Sequence, residues 1–206
     1  MDILSTIMDK AGTRIHARIA AQVRRLRAAR RLSLAALATA SGVSRSMISL
    51  VERGEASPTA VVLERLATGL GVPLAALFDA PRERGRLATP LARRAGQLSW
   101  RDPGSGYLRR NVSPPNWPSP IRIVEVRFPP GARVAYENAA RPPAVHQQVW
   151  VLAGHIEITC GAERHRLRPG DCLAMQLDRP IVFANRTRAP ARYVVVVAGA
   201  SAGEVA

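Results

Sequence analysis

The side chains best suited to recognising another molecule are Arg45, Ser46, Ser49, Leu50 and Arg53. At helical spacing they share one side of a short helix, while Val43, Met47, Ile48 and Val51 fall on the other. Arginine presents a fork of donors that fits guanine O6 and N7. A serine hydroxyl donates or accepts, and a leucine can meet a thymine methyl group. A short helix with a small, polar and basic outer face is therefore shaped for a DNA major groove. Ser33 and Ser44 stand where two helices would begin, each as an N-cap next to free N–H groups that also attract phosphate. Arg53 and Thr59 add further donors for a phosphate backbone.

These side chains need elements to carry them. Leu34, Leu37 and Ala38 give a first short helix its apolar face, and Gly42 marks a sharp turn into the second. Ile15, Ile19, Val23 and Leu26 predict a helix before this pair. Ser57-Pro58-Thr59 reads as a helix start, with Ser57 as the cap and Pro58 in the first turn. Val62, Leu63, Leu66 and Leu70 continue that helix to Gly71, and residues 73–78 predict a last short one. The expectation is a five-helix domain over residues 10–79.

The run Leu37-Ala38, Ser41-Gly42-Val43-Ser44, Ile48-Ser49, Val51-Glu52-Arg53-Gly54, Pro58, Leu63, Leu66-Ala67, Leu70-Gly71-Val72 and Leu77-Phe78 resembles the Cro/repressor-type (XRE) helix-turn-helix domain across residues 14–79. The resemblance implies a transcription regulator that binds a palindromic or pseudo-palindromic operator in double-stranded DNA as a homodimer. It implies a recognition helix over residues 44–53, with Arg45, Ser46 and Ser49 as base readers and Leu50 on a thymine. It also implies that Glu52 pairs with an arginine of the first helix, Arg24 or Arg25. A helical bundle used for protein contact is the competing reading.

Composition agrees with a polyanionic partner without deciding it. The chain has 30 Lys+Arg against 15 Asp+Glu, a formal net charge of +15. Lys10 is the single lysine, so the cations are arginines. They are spread over the chain and densest around Arg82, Arg84, Arg86, Arg93 and Arg94, where residues 80–104 read as a solvated linker. Flanking phosphate contact is the rival role for that segment. Residues 1–10 do not read as a signal peptide, and the apolar run at 193–198 is too short to span a membrane. With two cysteines, no disulfide framework is expected, and the expected location is the cytoplasm.

The second half changes pattern. Short apolar runs at 121–128, 149–152, 155–160, 164–167, 172–176, 181–184 and 192–198 are separated by turns rich in proline and glycine. That rhythm predicts an all-β sandwich or barrel over residues 105–200. Val151-Leu152-Ala153-Gly154 with Ile156-Glu157-Ile158, then Leu167-Arg168-Pro169-Gly170-Asp171, then residues 178–185 ending in Asn185, resemble the two cupin motifs. The resemblance implies a small double-stranded β-helix of jelly-roll type, and an α + β two-domain chain overall. Metal-binding cupins carry His, His and Glu in the first motif and His in the second. Here those slots fall on Arg141, Pro143, Gln147 and Ile181, so no metal and no cofactor is expected. A one-residue shift would bring only His146 into the glutamate slot.

The cupin resemblance places Gln147 and Ile181 inward, and period-two alternation adds Val149, Val151 and Phe183. Tyr136, His146, Trp150 and Met175 complete a candidate wall for a small organic effector. The same residues can equally be the filled core of a small barrel. His155 and His165 read as exposed, and Cys160 and Cys172 as small buried hydrophobes on neighbouring strands rather than a thiol switch. The reading is thus a DNA-binding regulator, not an enzyme, with a metal-free cupin that senses an effector. The alternatives are a cupin isomerase or oxygenase carrying a DNA-binding head, and a repressor whose cupin only dimerises.

Overall fold

The structure, a computed structural model, describes residues 3–79, 89–138 and 144–199. It divides into two compact units, residues 1–101 with 114–117 and residues 102–113 with 118–206.

The first unit holds four α-helices: α1 (Ile3–Ala29), α2 (Leu34–Ser41), α3 (Arg45–Arg53) and α4 (Ala60–Gly69). Each of the last three starts at a side-chain cap. Ser33 Oγ accepts from Ala36 N at 3.0 Å, Ser44 Oγ from Met47 N at 3.2 Å and Thr59 Oγ1 from Val62 N at 3.3 Å. Such caps contribute about 1 kcal/mol each. Gly42 ends α2 with φ +66°, a left-handed conformation that a residue with a Cβ enters at a penalty.

Two expectations are corrected here. The cap of α4 is Thr59 and not Ser57. Pro58 is buried and Thr59 has an extended backbone with ψ 165°, so the first helical turn begins at Ala60. Ser57 Oγ instead lies 3.1 Å from His16 Nε2. The fifth helix is a 3-10 turn, Leu74–Phe78, because five residues after a proline close only i→i+3 bonds such as Ala76 N to Pro73 O at 2.9 Å. Gln22 Nε2 caps that turn by donating to the Ala76 carbonyl at 2.9 Å.

The predicted stripes make the core. Ile15, Ile19, Val23 and Leu26 of α1 are buried, as are Leu37, Ile48, Val51, Leu63, Leu66 and Leu70, each removal from water worth about 1.5–3 kcal/mol. α4 crosses the end of α2 at Gly69, where a Cβ would lie 2.7 Å from Ser41 Cβ. The stretch expected as a linker contributes to this unit too. Residues 94–96 form a 3-10 turn, and β1 (Ser99–Arg101) carries Trp100, 2% exposed and edge-on to Phe78 at 5.5 Å. Arg82, Arg84 and Arg86 lie outside the described residues.

The second unit is all β. Its strands are β2 (Leu108–Asn111), β3 (Ile121–Phe128), β4 (Arg133–Tyr136), β5 (His146–Ala153), β6 (Ile156–Cys160), β7 (Glu163–Leu167), β8 (Cys172–Gln176), β9 (Ile181–Ala184) and β10 (Ala191–Ala198). One sheet runs β2-β3-β10-β5-β8 and the other β4-β9-β6-β7. The pairs are antiparallel, with Tyr193 opposite both Val126 and Val151. Alternation along β10 buries Tyr193, Val195 and Val197 and turns Val194 and Val196 outward. The chain crosses between sheets at its proline and glycine turns, no ladder among the described residues joins the two sheets, and both stay open.

Candidate functional site

The recognition face follows from how α3 is seated. Ile48 and Val51 are buried, Met47 is half-buried, and the opposite arc carries Arg45, Ser46, Ser49, Leu50 and Arg53. Arg45 and Ser46 are exposed, Ser49 and Leu50 half-exposed. The arc is partly tied to itself. Arg53 donates to Ser49 Oγ at 2.5 Å and, through Nε and Nη2, to both oxygens of Glu55 at 2.8 Å. Arg53 is thus held by its neighbours, with one N–H on each Nη left beyond these bonds. Ser44 and Ser46 hydroxyls lie 3.2 Å apart at the helix start. Ser33 and Thr59 spend their acceptor lone pairs on their own helices, and each hydroxyl retains a proton to donate.

What holds the far end of α3 differs from expectation. Glu52 pairs with Arg27, at 2.6 Å from Nε and 2.8 Å from Nη2, and not with Arg24 or Arg25. The reason is helical phase. Arg27 stands one turn after buried Val23, at the border of the apolar stripe, whereas Arg24 and Arg25 are exposed. Arg25 donates to Gln22 Oε1 instead. Arg27 Nη1 completes the arrangement by donating to the Leu32 carbonyl at 2.8 Å, so one guanidinium ties α1, the approach to α2 and the end of α3. The hydrogen bond to Glu52 is the main cause that raises the Arg27 pKa. A groove of about 820 Å³ runs beside this pair, lined by His16, Arg24 and Arg53 among others.

In the β unit the inner faces bring together most of the candidate wall. Gln147 Nε2 lies 3.8 Å from Met175 Sδ, and Cys160 Sγ lies 3.8 Å from the same sulfur. Tyr136 meets Phe183 edge-on at 6.1 Å, and Phe183 stacks on Tyr193 at 6.1 Å. Ile181 is fully buried, opposite Tyr136 and Cys160 in the register. His146 and Trp150 do not belong to this wall. Both stand on the opposite parity of β5 from buried Val149 and Val151, and Trp150 is 51% exposed on the outer face.

The sequence reading missed a tyrosine cluster here. Tyr107 and Tyr136 hydroxyls lie 3.2 Å apart, and burial raises the pKa of both and of Tyr193, so the phenols stay protonated. Burial also pushes the Cys160 thiol up, away from the thiolate. Cys172 is exposed, which corrects its expected burial. β6 and β8 belong to different sheets, so the two cysteines are not on neighbouring strands.

Of the four metal slots, Gln147 faces Met175 and Ile181 is buried core, while Arg141 and Pro143 lie outside the described residues. No group of three or more His, Cys, Asp or Glu side chains able to hold a metal ion is found among the described residues. His155 is exposed, and His165 is half-buried at 3.6 Å from Glu163. Two buried carboxylates were not legible in advance. Glu125 sits between Arg110 and Arg192, and Glu157 among Arg164, Arg166 and Arg186. No single helix among the described residues is long and apolar enough to cross a membrane.

Comparison with known proteins matches residues 18–80 to a helix-turn-helix domain family and residues 124–197 to a cupin domain family. The chain is 43% identical over 68 residues to the HTH-type transcriptional regulator SutR of Escherichia coli (strain K12), covering 33% of this chain. The match spans about a third, 36%, of that regulator's own length. Among solved structures, an HTH_3 family transcriptional regulator from Vibrio cholerae aligns with TM-score 0.71 at 25% identity, over 92% of this chain and 99% of that one. The chain thus carries a helix-turn-helix domain over residues 18–80 and a cupin domain over residues 124–197.

Proposed function

We propose that this chain is a sequence-specific, DNA-binding transcription regulator, acting as a homodimer in the cytoplasm. Residues 10–79 form its DNA-reading part, and residues 105–200 a cupin that senses a small organic effector or holds the dimer. The observation that carries the reading is the outward arc of α3, seated by Ile48 and Val51 and pinned by Arg27–Glu52. It lies within residues 18–80, the segment that matches a helix-turn-helix domain family. Arg45 is the base reader of widest reach, with Ser46, Ser49 and Leu50 beside it. Ser33, Ser44, Arg53 and Thr59 serve the phosphates.

The effector side rests on Tyr136, Gln147, Met175, Ile181 and Phe183, which lie on the inner faces of the two sheets. An apolar wall with few polar groups suits a small, partly apolar molecule. The reading is of a regulator and not an enzyme. Gln147 and Ile181 occupy two of the slots where a catalytic cupin holds its metal, and a neutral amide and an aliphatic chain are poor ligands.

The test is selection of bound duplexes from a random pool with the full chain. Two half-sites related by a dyad are expected. Affinity for the selected site is expected to fall steeply with salt, and Arg45→Ala to relax preference at one base of each half-site. Recovery of no common sequence, or an unchanged site with Arg45→Ala, refutes the assignment.

A further inference from the structure

The outer face of the four-stranded sheet carries a carboxylate surrounded by more arginine than it can neutralise. Glu157 lies at the middle of β6 with its side chain 8% exposed. Arg186 Nε is 3.0 Å from one oxygen, Arg166 Nε 3.3 Å from the other, and Arg164 Nη1 is 4.0 Å away. The register explains the gathering. Arg166 is directly opposite Glu157 on β7, and Arg164 stands two residues along on the same face. Arg168 follows at the same parity just past the strand.

One carboxylate therefore faces three guanidinium groups, with Arg168 a further cation beside them. Arg166 and Arg186 bond it through Nε, which leaves their Nη groups as donors for something else. Arg186 is also the main cause that holds the Glu157 carboxyl below its ordinary pKa, so the anchor stays charged at neutral pH.

These arginines border a groove of about 440 Å³ that also includes His155, Ile156 and Leu167. That volume is in the range of small-molecule sites, about 300–1,000 Å³. Guanidinium forks match planar and tetrahedral oxyanions bidentately. Excess positive charge in a concave, partly low-dielectric surface concentrates counter-anions. Ile156 and Leu167 offer an apolar contact that inorganic ions do not use. The geometry points to a site for a small organic anion, a phosphate ester or a carboxylate, between the β6–β7 hairpin and Arg186. The site is on the outer face, separate from the inner wall of Tyr136, Gln147 and Phe183, and does not depend on the DNA-binding assignment.

The experiment is calorimetric titration of the full chain with phenyl phosphate, sodium benzoate and inorganic phosphate, at ionic strength held constant with sodium chloride. Saturable binding of one phenyl phosphate or benzoate per chain is expected, tighter than inorganic phosphate. Arg166→Gln with Arg186→Gln is expected to weaken it by about ten-fold or more, the scale of one lost charge-assisted hydrogen bond. Arg168→Gln keeps every Glu157 pair intact, so it reads the groove even if the double variant does not fold. It is expected to weaken binding by about three-fold or more, while Arg133→Gln on β4 leaves binding unchanged. Non-saturable binding of both organic anions, or equal binding by wild type and Arg168→Gln, overturns the proposal. So does a fall in duplex-DNA affinity in Arg168→Gln matching its fall for the small anion, since the groove would then be a DNA contact.

Discussion

Removing the carboxylate of Glu52 should unseat α3, by an amount the geometry allows to be worked out. Glu52 accepts from Arg27 at 2.6 and 2.8 Å, with side chains 8% and 19% exposed, so water cannot readily replace either partner. A hydrogen bond to a charged group is worth about 1.5–3 kcal/mol, and removing one member of a fully buried pair costs about 3–5 kcal/mol. Arg27 keeps its bond to the Leu32 carbonyl and some solvent, which lowers the figure. Glu52→Ala is therefore expected to destabilise the helical unit by about 2–3 kcal/mol. Glu52→Gln retains one acceptor oxygen and is expected to cost about 1–2 kcal/mol. For a unit of this size each kcal/mol moves the unfolding midpoint by about 4–8 °C, so Glu52→Ala should lower it by roughly 8–24 °C. The assay is denaturant and thermal unfolding followed by far-ultraviolet circular dichroism, for the single variants Glu52→Ala and Arg27→Ala and for the double. The cycle should return a coupling of about 1–2 kcal/mol. A single-variant cost below about 0.5 kcal/mol, or a coupling of zero, would refute the view that this pair anchors α3.

Arg45→Ala should weaken binding to the selected duplex by about 1–3 kcal/mol, roughly five- to 150-fold, with the unfolding midpoint unchanged; a gel-shift titration measures it. Gly69→Ala forces a Cβ to 2.7 Å from Ser41 Cβ, so its helix-propensity gain is outweighed and the midpoint of the helical unit should fall; a rise would show that α2 and α4 can separate there at little cost. Acid stability should depend on Glu125. Burial pushes its carboxyl up, but hydrogen bonds and charge from Arg110 and Arg192 more than offset this and the net shift is downward. A carboxylate with a depressed folded pKa contributes stability that is fully present above the unfolded value of about 4.3 and is lost as pH falls through the folded one. The β unit should therefore hold its midpoint down to about pH 5 and lose it below, and Glu125→Gln should flatten that loss; an identical acid profile in the variant would count against it. The purified chain should carry no stoichiometric Zn, Fe, Mn or Ni, and chelation should leave its midpoint unchanged; elemental analysis showing one retained metal per chain would revive the enzyme reading.

How much was legible in the sequence follows the range of the forces involved. Caps and turns act within four residues, so Ser33, Ser44 and Gly42 could be placed from the chain alone. The error at Ser57 arose because two candidate caps lay two residues apart and the burial of Pro58 decided between them. Alternation along β5 put Val149 and Val151 inside, and the same rule applied consistently would have put Trp150 outside with His146.

Periodicity, capping residues and turn glycines determined the two kinds of unit, the helix pair and the five side chains on its outer arc, because each depends on neighbours a few positions away. Only the tertiary structure decided which arginine meets Glu52, that Glu157 gathers three arginines while Glu125 takes two, and that the cysteines fall on different sheets. An arginine side chain is long and any carboxylate attracts it. Which pair forms depends on where crossing helices and paired strands bring their ends together, and no short-range pattern in the chain carries that distance.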